Sequence, residues 1–237
     1  MASDPKILGL SFLLGLIPSI FWLWFWLQED KEKPEPIPVL SVVFLMGIIA
    51  VIFVLPIQKF IEAHVGTHEW QLILWASAEE VVKYLAVVVV IYRTNLADEP
   101  IDWPIYMITS ALGFAALENA LFLLKPLSVG ATAVGLLTGQ LRFLGATLLH
   151  TVTSGIIGIS IGAATYTSGI RKKMNLLAGL IMATALHSVF NFFIIKNDGS
   201  DFLKVFAFLW VVTIIVMLLF EKIRRMSPSG SSAEGRN

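Results

Sequence analysis

The chain contains no cysteine. That removes disulfides, thiolate metal sites and a cysteine nucleophile together, and it leaves the redox compartment unread. Charge is also scarce: Asp, Glu, Lys and Arg make up 14% of the 237 residues, and the 17 acids balance the 17 Lys and Arg. A formal net charge of zero offers no basic footprint, so no nucleic-acid partner is expected. There are four histidines and no internal repeat, so any metal or proton chemistry rests on a small set of residues.

Apolar residues are what the chain has in excess, at 57% with a mean hydropathy of +0.80. No soluble domain of this size needs so much apolar surface. Runs of roughly 18 to 23 apolar residues, parted by charged or Pro-rich breaks, predict an all-α polytopic transmembrane bundle, because a helix satisfies its own backbone groups in lipid. The expected spans are residues 7–27, 38–58, 70–92, 104–124, 141–166, 175–195 and 202–221. They form one membrane domain over 1–226, with a Ser/Gly-rich disordered cytoplasmic tail at 227–237.

The first run is too long for a signal-peptide core and lacks a small-residue cleavage site, so it reads as a retained helix. Its aromatic end, Phe21 to Trp26, is expected at the membrane interface. The stretch from Lys125 to Gln140 is too short to cross beside the helix that follows, and is expected to be re-entrant or interfacial. Basic residues outside the motifs favour the C-terminal face by about two to one. By the positive-inside rule the C-terminus is cytoplasmic and the N-terminus extracytoplasmic.

Four spans carry polar residues that hydropathy alone would forbid. The third has Glu79, Glu80 and Lys83; the fourth has Glu118 and Asn119; the fifth has Arg142 and His150; the sixth has His187 and Asn191. A charge at the centre of a membrane helix costs at least about 2.5 kcal/mol, so three within one turn need partners and usually a task. Lys83 lies beside both carboxylates on a helix, and Glu79 and Glu80 point about 100° apart. A buried structural salt bridge is the plain alternative for that stretch alone.

Depth argues for more. Glu118 falls about six residues inside the outer end of its span, His187 about nine, and Glu79 and His150 about ten, a layer roughly 9 to 15 Å down at the helical rise. Independent structural polar groups have no reason to share a level. Glu118, His150 and His187 offer the donors of an open catalytic zinc site. Glu79 or Glu80 is then placed to take a proton from water, and Asn191, one turn from His187, to donate to a developing oxyanion.

Lys83 would keep the second carboxylate ionised. Arg142, near the end of its span, is expected to snorkel to the interface. His64 and His68 read as loop residues, and the series Gly155, Gly158 and Gly162 as a helix-packing face.

The motifs Glu79-Glu80-x-x-Lys83, Gly113-Phe114-x-x-x-Glu118-Asn119, His150 with Thr153 and Gly155, and His187-x-x-x-Asn191 resemble the PrsW family of intramembrane proteases in order and spacing. They are distantly similar to the type II CAAX prenyl endopeptidases, which carry His where this chain has Glu118. The resemblance covers residues 79–191. It implies that Glu79, Glu80, Glu118, His150 and His187 form the functional set, with Asn191 assisting and Lys83 and Asn119 in support.

It implies cleavage of a membrane-anchored protein, an anti-sigma factor for bacterial members, on the extracytoplasmic side, by either a zinc-dependent or a glutamate-only mechanism. The competing readings are a proton-coupled or metal-ion transporter and a catalytically inactive scaffold. A transporter would spread its ionisable groups across the membrane and often show inverted repeats. Here they cluster at one depth.

Overall fold

A computed structural model describes residues 4–28, 33–91, 94, 96–196 and 202–226; the predicted tail at 227–237 lies outside them. The described residues are helical throughout their regular structure. The helices are α1 (Pro5–Leu27), α2 (Ile37–His64), α3 (His68–Ile91), α4 (Asp102–Ser128), α5 (Thr132–Leu141), α6 (Thr147–Gly162), α7 (Gly169–Lys196) and α8 (Phe202–Arg224), with a π-helical segment, Arg142–Ala146, between α5 and α6.

Six rods are long and apolar enough to cross a membrane, the α5–π–α6 rod counting as one. The seventh, α3, has 24 residues but carries Glu79, Glu80 and Lys83 near its middle. The protein is a polytopic helical bundle.

α4 is the axis of the bundle, packed by α1, α2, α3, α5 and α6. Small residues permit that approach. A Cβ on Gly47 would meet the backbone of Ser110, and one on Gly113 the backbone of Phe44, so α2 and α4 cross backbone to backbone. Gly15 sits likewise against Ala116 and Ala120. Gly158 and Gly162 of α6 sit against Pro104 and Pro100, where the chain enters α4. The polar residues of α4 and α6 are thus held in the middle of the bundle.

Two expectations are corrected. The stretch from Lys125 to Gln140 is not a separate re-entrant piece: α4 runs on to Ser128, Gly130 turns the chain at φ 71°, and α5 continues through the π segment into α6. Only glycine takes that turn without strain.

The aromatic cluster of α1 is not simply interfacial either. Trp22 and Trp26, one turn apart, are buried against Phe143, Trp210 and Phe220, whereas Phe21 and Trp24 face outward. Helical periodicity divides the cluster between core and lipid.

Candidate active site

The two adjacent carboxylates of α3 have different surroundings. Glu80 is fully buried and saturated. Its Oε1 accepts from Lys83 Nζ at 2.8 Å, His187 Nδ1 at 2.8 Å and Thr153 Oγ1 at 3.0 Å, and its Oε2 accepts from Ser154 Oγ at 3.0 Å. Glu79 accepts one bond, from Gln58 Nε2 to Oε1 at 2.8 Å. Its Oε2 is buried without a hydrogen-bond partner, 3.6 Å from His187 Nε2. One carboxylate is an anchor, and the other has an acceptor to spare.

Lys83 also donates to His150 Nδ1 at 2.8 Å, so Nε2 of that ring carries the proton and donates to Glu118 Oε2 at 2.9 Å. The His150 and His187 rings meet edge to face at 5.1 Å between centroids. Lys83 therefore ties α3 to α6, and Glu80 ties α3 to α7. The buried charges of Lys83 and Glu80 thus have each other as partners, as low-dielectric burial demands.

Arg142 does not snorkel. Its Nη2 bonds Glu118 Oε2 at 2.5 Å, its Nε bonds Asn119 Oδ1 at 2.6 Å, and its guanidinium lies 4.0 Å over the Phe122 ring. The reason is the length of the rod: α5, the π segment and α6 run on as one span from Thr132, so Arg142 lies ten residues inside its start rather than at an end. Asn119 in turn donates to Thr147 Oγ1 at 2.9 Å. Among the described residues the side-chain bonds to Glu118 fall on Oε2, and its side chain reaches the cavity.

These groups line a cavity of about 600 Å³. Glu79, Glu118, His150, His187 and Asn191 meet there with Arg142, and the mouth is set by Gln58, Lys59 and Glu62 of α2 and Lys125 of α4. Lys83, Glu80 and Asn119 stand behind the lining. His64 and His68 lie apart, at the end of α2 and the start of α3.

The residues that gather as donors are Glu79, His150 and His187, with one ligand atom from each within 4.8 Å of the others. The expected trio had Glu118 in place of Glu79. In the fold Glu118 is held by Arg142 and His150, and the orphaned oxygen belongs to Glu79.

The model of the PrsW family of intramembrane metalloproteases matches residues 35–220. The chain belongs to this family. The protein named Protease PrsW from Shouchella clausii is 30% identical over 188 residues, which cover 78% of this chain and 82% of the relative. That from Geobacillus kaustophilus is 30% identical over 158 residues, covering 65% and 66%, and that from Bacillus subtilis is 26% identical over 172 residues, covering 70% and 75%. No solved structure matches significantly.

This PrsW-family member is a membrane-embedded peptidase. The transporter and scaffold readings give way to it.

Two contributors to the PrsW-type site escaped sequence reasoning. Gln58 stands near the end of α2, where a polar residue passes for an interface residue. Its only signal is that it is the first polar residue after the long apolar run of α2, at the start of the polar last turns Gln58 to His64. Arg142 was singled out, but a linear reading of its span placed it at a water interface. The Gly- and Thr-containing stretch before it, which α5 makes the first part of the same rod, hides that the span begins at Thr132.

Proposed function

We propose that the chain hydrolyses a peptide bond of a membrane-anchored protein close to the extracytoplasmic face, and that Glu79, His150 and His187 hold a zinc ion in the cavity. The observation that carries the reading is the buried, partnerless Oε2 of Glu79 facing His187 Nε2 at 3.6 Å. With Nδ1 of His187 donating to Glu80, its Nε2 presents a lone pair. Two lone pairs that face each other in a buried site call for a cation or a proton between them. The His–carboxylate tie to Glu80 is the support that metal-binding imidazoles usually have.

Zinc bound there would supply Lewis acidity, lowering the pKa of a water and polarising the scissile carbonyl. The remaining steps fall to the chain's own residues. Glu118 accepts the proton of the attacking water through Oε1 and passes it to the leaving amine. Arg142 holds Glu118 in place. Asn191 donates to the oxyanion that develops on the carbonyl oxygen. Lys83 keeps Glu80 charged, and Glu80 keeps the His187 ring oriented. His150 would hold the metal through Nε2 only as its Nδ1–H tautomer, in which the ring no longer accepts from Lys83 at Nδ1 and no longer donates to Glu118.

The basic-residue bias supports an extracytoplasmic N-terminus and a cytoplasmic C-terminus. On that topology α1 ends in the cytoplasm and α2 ends outside, so the mouth at Gln58 to Glu62 opens on the extracytoplasmic side. An anti-sigma factor with one membrane span is the substrate class we assign, by likeness to bacterial members of the family.

Elemental analysis of the detergent-purified protein tests the metal. The expected result is near-stoichiometric zinc in the wild type, lost in Glu79→Ala and His187→Ala and kept in Glu118→Ala. Zinc lost in Glu118→Ala but kept in Glu79→Ala would return the ligand role to Glu118. An active preparation without metal would replace the zinc reading with water activation by Glu79 alone.

A further inference from the structure

We infer that Gln58 is a positioning residue for Glu79: its side-chain amide holds one carboxylate oxygen so that the other is presented to the two imidazoles. The inference rests on the role given to Glu79 above, and it brings in α2, which carries none of the four motifs.

Gln58 Nε2 donates to Glu79 Oε1 at 2.8 Å, while Oε2 is buried with no partner. The last torsion of a glutamate is broad and two-fold, so nothing intrinsic to Glu79 fixes the plane of its carboxylate. An N–H donor favours the plane in which it meets a lone pair of the oxygen, and Gln58 supplies that donor. Without Gln58 the carboxylate turns freely, and its two oxygens compete for the position facing His187.

Gln58 is itself anchored. Its backbone carbonyl accepts from Trp75 Nε1 at 3.1 Å, and Trp75 lies one turn before Glu79 on α3. Indole and amide thus make a two-point tie between α2 and α3 beside the Glu79 carboxylate.

The amide also suits the task electrically. Lys83 neutralises Glu80, whereas Gln58 donates without charge and leaves the negative charge of Glu79 for a cation or a proton. A carboxylate at position 58 would set like charges together, and an apolar side chain would orphan a second buried oxygen.

The test uses the full-length protein in detergent and a quenched-fluorescent peptide with one membrane span that the wild type cleaves. Gln58→Met keeps the length of the side chain but cannot donate. It is expected to lower kcat about tenfold to hundredfold and to weaken zinc retention against a chelator about tenfold. KM should stay within about twofold, because the lost interaction bears on the transition state rather than on substrate binding. Gln58→Asn, one methylene short of Glu79, should give the same pattern, and it decides the matter where the Met variant does not fold.

A folded Gln58→Met with wild-type kcat overturns the inference. So does a fall in kcat matched by a rise in KM and a lower melting temperature, the signature of a packing residue. Glu79→Ala, measured alongside, separates the two levels. If it cleaves like the wild type, the reading of Glu79 fails; if it is inactive while Gln58→Met is normal, only the role of Gln58 fails.

Discussion

The bundle holds two polar clusters, one inside it and one at the opposite ends of α2, α3 and α4 from the cavity mouth. In the second, Tyr106 donates to Glu35, Lys33 Nζ bridges Asp98 at 2.8 Å and Glu99 at 3.1 Å, and the Glu99 N–H donates to Asp102 Oδ2 at 2.7 Å. Both clusters bury carboxylates: Glu79 is 5% exposed, Glu35 9% and Asp102 2%. Burial alone therefore does not mark a functional carboxylate.

What separates them is a surplus. The end cluster spends its bonds tying the α1–α2 loop to the α3–α4 loop, and none of its residues lines the cavity. The inner cluster leaves Oε2 of Glu79 unspent, beside imidazoles and open space.

The contrast is sharpest between neighbours. Glu79→Ala is expected to reduce cleavage by at least about 10³-fold while the melting temperature in detergent stays near that of the wild type, since little holds Glu79 but Gln58. Glu80→Ala is expected to lose activity for a different reason. It strands the ammonium of Lys83 and unties His187, Thr153 and Ser154, which should cost about 3 to 5 kcal/mol of stability. Thermal unfolding beside a cleavage assay reads both. A Glu80→Ala protein as stable as the wild type would erase the distinction between the unsaturated carboxylate of Glu79 and the anchoring one of Glu80.

A smaller effect is expected at Arg142, which serves the inner cluster from its edge. Arg142→Leu removes charge-assisted bonds to Glu118 and Asn119, each of a kind worth about 1.5 to 3 kcal/mol, so cleavage should fall roughly tenfold to hundredfold. Arg142→Lys should restore little, because a single ammonium cannot reproduce the fork that reaches both residues and stacks on Phe122. Full activity in the lysine variant would mean that charge alone matters there.

These outcomes bear on how far the sequence is legible. The helices are, because lipid demands long apolar runs, and so is the set of polar residues that meet at the cavity, because each interrupts such a run; the counted depths of His150 and Glu118 are not, because their rods extend to Thr132 and Ser128. The division of labour between Glu79 and Glu80 is not. Adjacent residues differ by 100° of helix, and which of them is saturated depends on Thr153, Ser154 and His187, which lie 73 or more positions away.

The expected ligand set and the donors that gather in the fold differ at this point: one depth fits Glu118 and Glu79 alike, and what sets them apart is that Glu118 Oε2 is held by Arg142 and His150 while Glu79 Oε2 has no partner. Gln58 stayed hidden because a polar residue at a span end has an easy explanation in water.

The smallest expected effect belongs to the end cluster and concerns stability alone. Burial pushes the Glu35 carboxyl above the ordinary carboxylate range, although the bond from Tyr106 pulls it down. A folded-state pKa that is raised favours the protonated group. Its stabilising contribution is present below the unfolded value, about 4.3, and is lost as pH rises through the folded one. Asp98, held low by Lys33, runs the other way, but it is exposed and carries little weight.

Glu35→Gln is neutral at every pH and should remove this loss. The variant should match the wild type in acid and exceed it by about 1 kcal/mol at neutral pH, or roughly 2 to 4 °C in melting temperature. Cleavage should stay within about twofold throughout, because Glu35 lies at the far end of α2 from the cavity mouth. Melting curves across the acid-to-neutral range decide it. Equal pH slopes for the two proteins would show that Glu35 is already ionised at no cost, and a large loss of cleavage would show that the two clusters are coupled.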